Sequence, residues 1–162
     1  MSFKSTAIGV AVCLFAVPSF ANLSTIDAQT SNSIKIAEGF YQDVLAYRNL
    51  NNFGKYIGET YIQHATAYGD GPVELIKAVA GELTADPNVK VDLYRTIAEG
   101  PYVAIHSVWT SSDGAEYVYV DIWKEEDGKL VEHWDHYQQV PKKSANKNTC
   151  LLYTSPSPRD SS

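Results

Sequence analysis

The chain has little cysteine and little methionine: two Cys and one Met in 162 residues. One cysteine, Cys13, lies near the start and the other, Cys150, near the end. The stretch between them therefore has no disulfide of its own and depends on a hydrophobic core. Positive charge is also scarce. Thirteen Lys and Arg stand against nineteen Asp and Glu, a net charge of −6. Setting aside Lys4, Arg159 and Asp160 leaves the middle more acidic still. That balance opposes binding to nucleic acid or to anionic membrane surfaces. No apolar run reaches the length that spans a bilayer. No HExxH, CxxC, glycine-rich phosphate loop or GxSxG elbow occurs, so metal, nucleotide-dependent and serine-hydrolase chemistries have no motif here. His133-x-Asp135-His136 carries ligand-type residues, but a strand sends His136 to the opposite face, and no metal is expected.

The two ends read as separate from the fold. Lys4, the apolar run Ala7 to Val17, and Ser19-Phe20-Ala21 form a charged, apolar and small-x-small series. Such a series marks an export leader, residues 1–21, with cleavage after Ala21. It predicts a secreted or periplasmic protein with no membrane attachment after cleavage. At the other end CLLYTSPSPRD, Cys150 to Asp160, resembles the translation of a transposase sequencing adapter. Residues 150–162 are read as such an artefact, disordered and without function.

What remains, 22–149, suffices for one domain. Asn22 to Ser33 is polar and reads as a mobile lead-in. Ile34 to Asn49 predicts a helix, with Ala37, Phe40, Tyr41, Val44 and Leu45 on one face. Phe53 to Ile57 reads as a short helix, Glu59 to His64 as extended, and Ala65 to Gly71 as a loop. Pro72 opens another helix, which Asp86-Pro87 ends. Its expected buried stripe is Val73, Ile76, Ala80 and Leu83. The pattern then changes to period two. Val89 to Ala98 and Tyr102 to Thr110 read as strands, the first with Val89, Val91, Leu93 and Arg95 sharing a face. Helices followed by four strands on short turns predict an α+β fold, helices against one side of a curved antiparallel sheet.

The richest stretch is Glu116 to Gln138, which reads as a β-hairpin turning at Asp127-Gly128. A two-residue loop would set Asp121 across from Trp134; a three-residue loop with a bulge would set it across from His133. The second sorts the chemistry better. It gathers Tyr117, Tyr119, Asp121, Trp123, Val131, His133, Asp135 and Tyr137 on one face. Val118, Val120, Ile122, Leu130 and Trp134 fall on the other. Aromatic rings with a few titratable groups make a plausible pocket wall.

These residues carry a resemblance. Tyr61-Ile62-Gln63-His64, Asp70-Gly71, Ala98-Glu99-Gly100 with Tyr102 to His106, and above all Val120-Asp121-Ile122 followed by Asp127 to Asp135, resemble the SnoaL-like polyketide cyclase branch of the nuclear-transport-factor-2-like superfamily. The likeness runs from about Ile34 to Thr149. It implies a cone-shaped curved antiparallel sheet, packed against N-terminal helices and enclosing a pocket, typically as a homodimer. Ala65-Thr66 after His64 departs from the similar Asn-Pro. Lys124 stands where Arg is frequent, losing a planar fork for carboxylate.

The chemistry expected is cofactor-free acid–base catalysis on a small hydrophobic carbonyl compound, of aldol cyclase, isomerase or dehydratase type. Asp121 is the candidate base, since burial disfavours its charge while a protonated His133 favours it. His133 would serve the developing enolate oxygen, and Asp135 would orient it or supply a second carboxylate. Tyr119, Trp123, Tyr41, Tyr61, His64 and His106 are candidate substrate contacts. The plainer alternatives are an Asp–His pair that only ties two strands, a ligand-binding module without turnover, and a dimerising scaffold.

Overall fold

The structure is a computed structural model, and it describes residues 23–146. The expected leader, 1–21, and the tail, 150–162, lie outside the described residues. Helix α1 spans Leu23–Gly39 and runs on into a wider π-helical segment, Phe40–Ala46. A 3₁₀ turn (Leu50–Asn52) and the one-turn helix α2 (Phe53–Tyr56) lead to strand β1 (Ile57–Gln63). Helix α3 (Pro72–Ala85) follows, then β2 (Lys90–Glu99), β3 (Tyr102–Thr110), β4 (Glu116–Glu126) and β5 (Lys129–Gln139). The sheet order is β1-β5-β4-β3-β2, antiparallel throughout except that β1 joins β5 in parallel. This is the expected α+β architecture.

The helices cover one face of the sheet because that is where the large apolar side chains point. Phe40 is the hub. Its ring meets Tyr41, Phe53, Tyr56 and Trp123 edge to face, with centroids 5.4–6.2 Å apart, an arrangement aromatic quadrupoles favour. Ala37, Val44, Val103, Ile105 and Leu130 are fully buried around it.

Four expectations fail in instructive ways. The polar lead-in is helical, and Ser33 is fully buried. Its hydroxyl lies 3.0 Å from Glu125 Oε2 and 3.0 Å from the Gly100 carbonyl. Polar residues thus make this part of α1 by satisfying a buried carboxylate and a turn. Second, α3 buries Leu75, Val79 and Leu83, while Val73 is exposed. The i, i+4, i+8 row through Leu75 contains the larger leucines, and it sets the helix phase. Third, β2 carries an extra residue at Tyr94, so Leu93 pairs Ser107 but Arg95 pairs His106. That bulge sends Arg95 away from the face of Val91 and Leu93.

The fourth concerns the hairpin. Asp127 and Gly128 both have positive φ (51° and 78°), and Glu126 pairs Lys129, a two-residue turn of the primed type. Val131 is then an extra residue on β5, because Glu125 pairs Leu130 while Lys124 pairs Glu132. Beyond the bulge Asp121 faces Asp135, neither Trp134 nor His133. The expected faces survive for Tyr119, Asp121, Trp123, His133 and Asp135. Leu130 does not keep its expected place: the two-residue turn pairs it with Glu125 and points it into the core.

Candidate active site

The cross-strand arrangement sets Asp121 opposite Asp135 and Trp123 opposite His133 on the helix-covered face. Asp121 and His133 are buried, each 5% exposed. His133 Nε2 lies 3.1 Å from Asp121 Oδ1. On its other side, His133 Nδ1 lies 3.0 Å from Gln63 Oε1. That oxygen also accepts the Ala65 backbone N–H at 3.2 Å. A backbone N–H can only donate, so the Gln63 atom is the carbonyl oxygen and His133 Nδ1 carries a hydrogen. The direct Nε2···Oδ1 contact then holds one further proton, shared by the pair. Trp123 stacks on the imidazole with centroids 3.9 Å apart.

Tyr41 completes the inner wall. Its hydroxyl accepts from Trp123 Nε1 at 3.4 Å. Burial first, and the Asp121 carboxylate second, hold its phenol well above the usual range. Asp135 is less enclosed. Burial raises its carboxyl, the neighbouring His133 lowers it, and Asp121 raises it. The ligating atoms of Asp121, His133 and Asp135 lie within 4.8 Å of one another. One imidazole and two carboxylates form a donor set that suits a divalent cation by type. Here Asp121 and His133 instead bond each other directly.

Two connected hollows surround these groups. The inner one holds about 60 Å³ and is lined by Tyr41, Gln63, Asp121, Trp123 and His133 among others. The outer one is an open groove of about 900 Å³, lined by His64, Tyr117, His136 and Tyr137 among others. Tyr68, Glu82, Trp109, Tyr119 and Asp135 line both and form the neck between them. The Tyr68 hydroxyl donates to the Glu82 carboxylate across this neck. An inner space of that size has room for about two waters, at roughly 30 Å³ each. The volume of the groove is in the range of small-molecule sites, and its neck carries the acid–base group Asp135.

The expected contacts divide accordingly. Tyr119, Trp123 and Tyr41 line the cavities. His64 sits at the groove rim, stacked on Trp134 at 4.8 Å and paired with Glu132 at 2.8 Å. Tyr61 is core: it is buried against Trp123 at 6.4 Å. His106 is on the far face of the sheet, where Arg95 Nη1 donates to its Nδ1 at 2.8 Å. Burial and then the guanidinium lower its tendency to protonate. The β2 bulge that moves Arg95 explains this company. Gln63, Tyr68, Glu82 and Trp109 were not anticipated. Glu82 carried a signal, since it lies on the buried row of Leu75, Val79 and Leu83 at helical spacing.

The profile of the SnoaL-like polyketide cyclase family matches residues 35–144, and the chain belongs to that family. No curated protein sequence matches it. Among solved structures, a candidate ketosteroid isomerase from Kribbella flavida is similar, with 17% identity and a TM-score of 0.62. That match covers 83% of this chain and 96% of the other. A candidate polyketide cyclase from Acidithiobacillus ferrooxidans has 19% identity and a TM-score of 0.58, over 67% of this chain and 89% of the other. An epoxide hydrolase of the LEH-like type from M. tuberculosis has 14% identity and a TM-score of 0.55, over 67% and 84%. At these identities the likeness establishes the fold.

Proposed function

We propose that the protein is an exported, cofactor-independent acid–base enzyme acting on a small hydrophobic carbonyl compound. The observation that carries this reading is the 3.1 Å Asp121–His133 contact, with Asp135 beside it at a neck open to the groove. The roles follow from where protons already are. Asp121 and His133 share one, so that pair is the acid. Asp135 is the carboxylate beside that pair that also lines the groove, so it is the base. It takes a proton from the carbon α to the carbonyl. The C–H electron pair becomes a C=C bond, the carbonyl π pair moves to oxygen, and the oxygen receives the proton held by Asp121 and His133, which gives an enol. An aldol closure, a double-bond shift or a dehydration can each follow from that enol.

The test is deuterium exchange. Cyclic aryl ketones, 1-tetralone first, are incubated with the protein in D₂O with EDTA, and α-deuteration is followed by NMR. The expected result is acceleration that Asp135→Asn reduces by about 10²–10⁴-fold. No acceleration across the series, with the ketones bound, overturns catalysis and favours a ligand-binding module; the small inner space supports that second reading.

Export rests on the leader-like residues 1–21 and is checked by the N-terminal sequence of the mature protein, expected to begin at Asn22. A homodimer is also proposed. Ile97, Tyr102, Val120 and Ile122 are exposed on the far face of the sheet, which a second copy would cover. Light scattering that gives a monomer mass at micromolar concentration would exclude it.

A further inference from the structure

We infer that the neck between the two hollows binds a cationic group, the protonated amine of a ligand whose apolar body lies in the groove. The inference rests on the reading of these hollows as a ligand site and adds the charge of what enters it.

The argument is one of charge balance. Among the described residues, neither hollow has a Lys or Arg in its lining. The acidic groups there are Asp121, Asp135, Glu82 and Asp86. Asp121 is matched by His133. Asp86 is held from outside the groove: the Ser112 N–H donates to its Oδ2 at 2.8 Å, and Arg48 lies against its backbone carbonyl at 2.9 Å. His64 is taken by Glu132, and His136, in the outer groove, acts on Asp135 more weakly than burial, His133 or Asp121. At the neck, the one imidazole of His133 serves two carboxylates, Asp121 and Asp135, and Glu82 is bonded to the neutral Tyr68 hydroxyl. Burial raises the Glu82 and Asp135 carboxyls, offset in part by the Tyr68 hydroxyl at Glu82 and by His133 at Asp135.

The remaining walls of the neck are rings. Tyr68, Trp109 and Tyr119 line it, and Trp109 and Tyr119 meet at 5.4 Å. Ring faces attract an ammonium within about 6 Å of their centroids. Two carboxylates and three aromatic side chains therefore line the space an amine would enter. An anionic substrate would find neither a guanidinium nor an ammonium to meet it.

The test uses probes that share one ring and differ in charge: phenethylamine, 2-phenylethanol and phenylacetate. Their binding to the full chain at neutral pH is followed by ligand-observed NMR. Phenethylamine is expected to bind about tenfold more tightly than 2-phenylethanol, with phenylacetate weakest. Glu82→Gln and Asp135→Asn each bring the amine's affinity toward that of the alcohol. If the alcohol or the acid binds as well as the amine, the charge inference fails and the ligand site stands. If none of the three binds at millimolar concentration, both fail.

Discussion

Trp123 and His133 lie ring on ring, their planes 21° from parallel. They are direct cross-strand partners, and this contact fixes the plane in which the imidazole nitrogens point. One nitrogen meets Gln63 and the other Asp121. Gln63 is thus a positioning residue: it selects the hydrogen on Nδ1 and leaves Nε2 for Asp121. Gln63→Leu removes that acceptor and leaves a buried N–H unpaired, at a cost of about 1–3 kcal/mol. In ¹⁵N-resolved NMR the wild type is expected to show a protected Nδ1–H on His133, and the variant to lose it. A protected Nδ1–H that persists in the variant would remove Gln63 from this role.

Asp135 gives a pH-dependent prediction. Its carboxyl is raised in the folded protein, chiefly by burial. The native state therefore holds the proton to higher pH than the unfolded chain. Stability falls as pH rises through the window between the unfolded value, about 3.9, and the raised native value, and the penalty is fully present above it. Asp135→Asn removes the penalty. The variant is expected to melt higher than wild type at pH 7, with the gain shrinking toward pH 3. An equal difference at both pH values would mean that packing, not charge, is what changed.

The same residues mark how far the sequence could be read. Alternation along β4 and β5 placed Tyr119, Asp121, Trp123, His133 and Asp135 on one face, because a side-chain period of two survives any even shift of register. It could not place Asp121 opposite Asp135, because the Val131 bulge has no compositional mark. The Tyr94 bulge likewise moved Arg95 off its expected face, and His106 proved to lie on the far side. The polar part of α1 was hidden because its buried Ser33 is covered by a partner far along the chain, Glu125, while Gln29, Ser31 and Asn32 stay exposed. The neck residues Tyr68, Glu82 and Trp109 come from a loop, a helix and a strand, and only the folded chain brings them together.

Ser33 and Glu125 carry a stability prediction. Glu125 is 3% exposed and accepts from Ser33 at 3.0 Å, from the Gly128 N–H at 2.5 Å and from Asn32 at 3.3 Å. No described basic side chain makes an ion pair with it, so hydrogen bonds alone compensate its burial. Ser33→Ala is expected to cost about 1–3 kcal/mol in urea unfolding with an unchanged m-value. A cost below about 0.5 kcal/mol would mean that another donor takes over.

The hairpin turn sets the register on which the site depends. Asp127 sits at φ 51°, where a β-branched side chain meets its own backbone. Asp127→Val is expected to cost about 1–2 kcal/mol, and Asp127→Asn to stay within about 0.5 kcal/mol of wild type, since Asn tolerates this conformation. The pairing of Trp123 with His133 is also held from outside the turn, because Trp123 packs on Phe40 at 5.4 Å and Gln63 bonds His133 from β1. Both variants should therefore keep the His133 Nδ1–H signal while differing in midpoint. Loss of that signal in Asp127→Val alone would show that the turn, rather than the packing against the helices, fixes the register of the site.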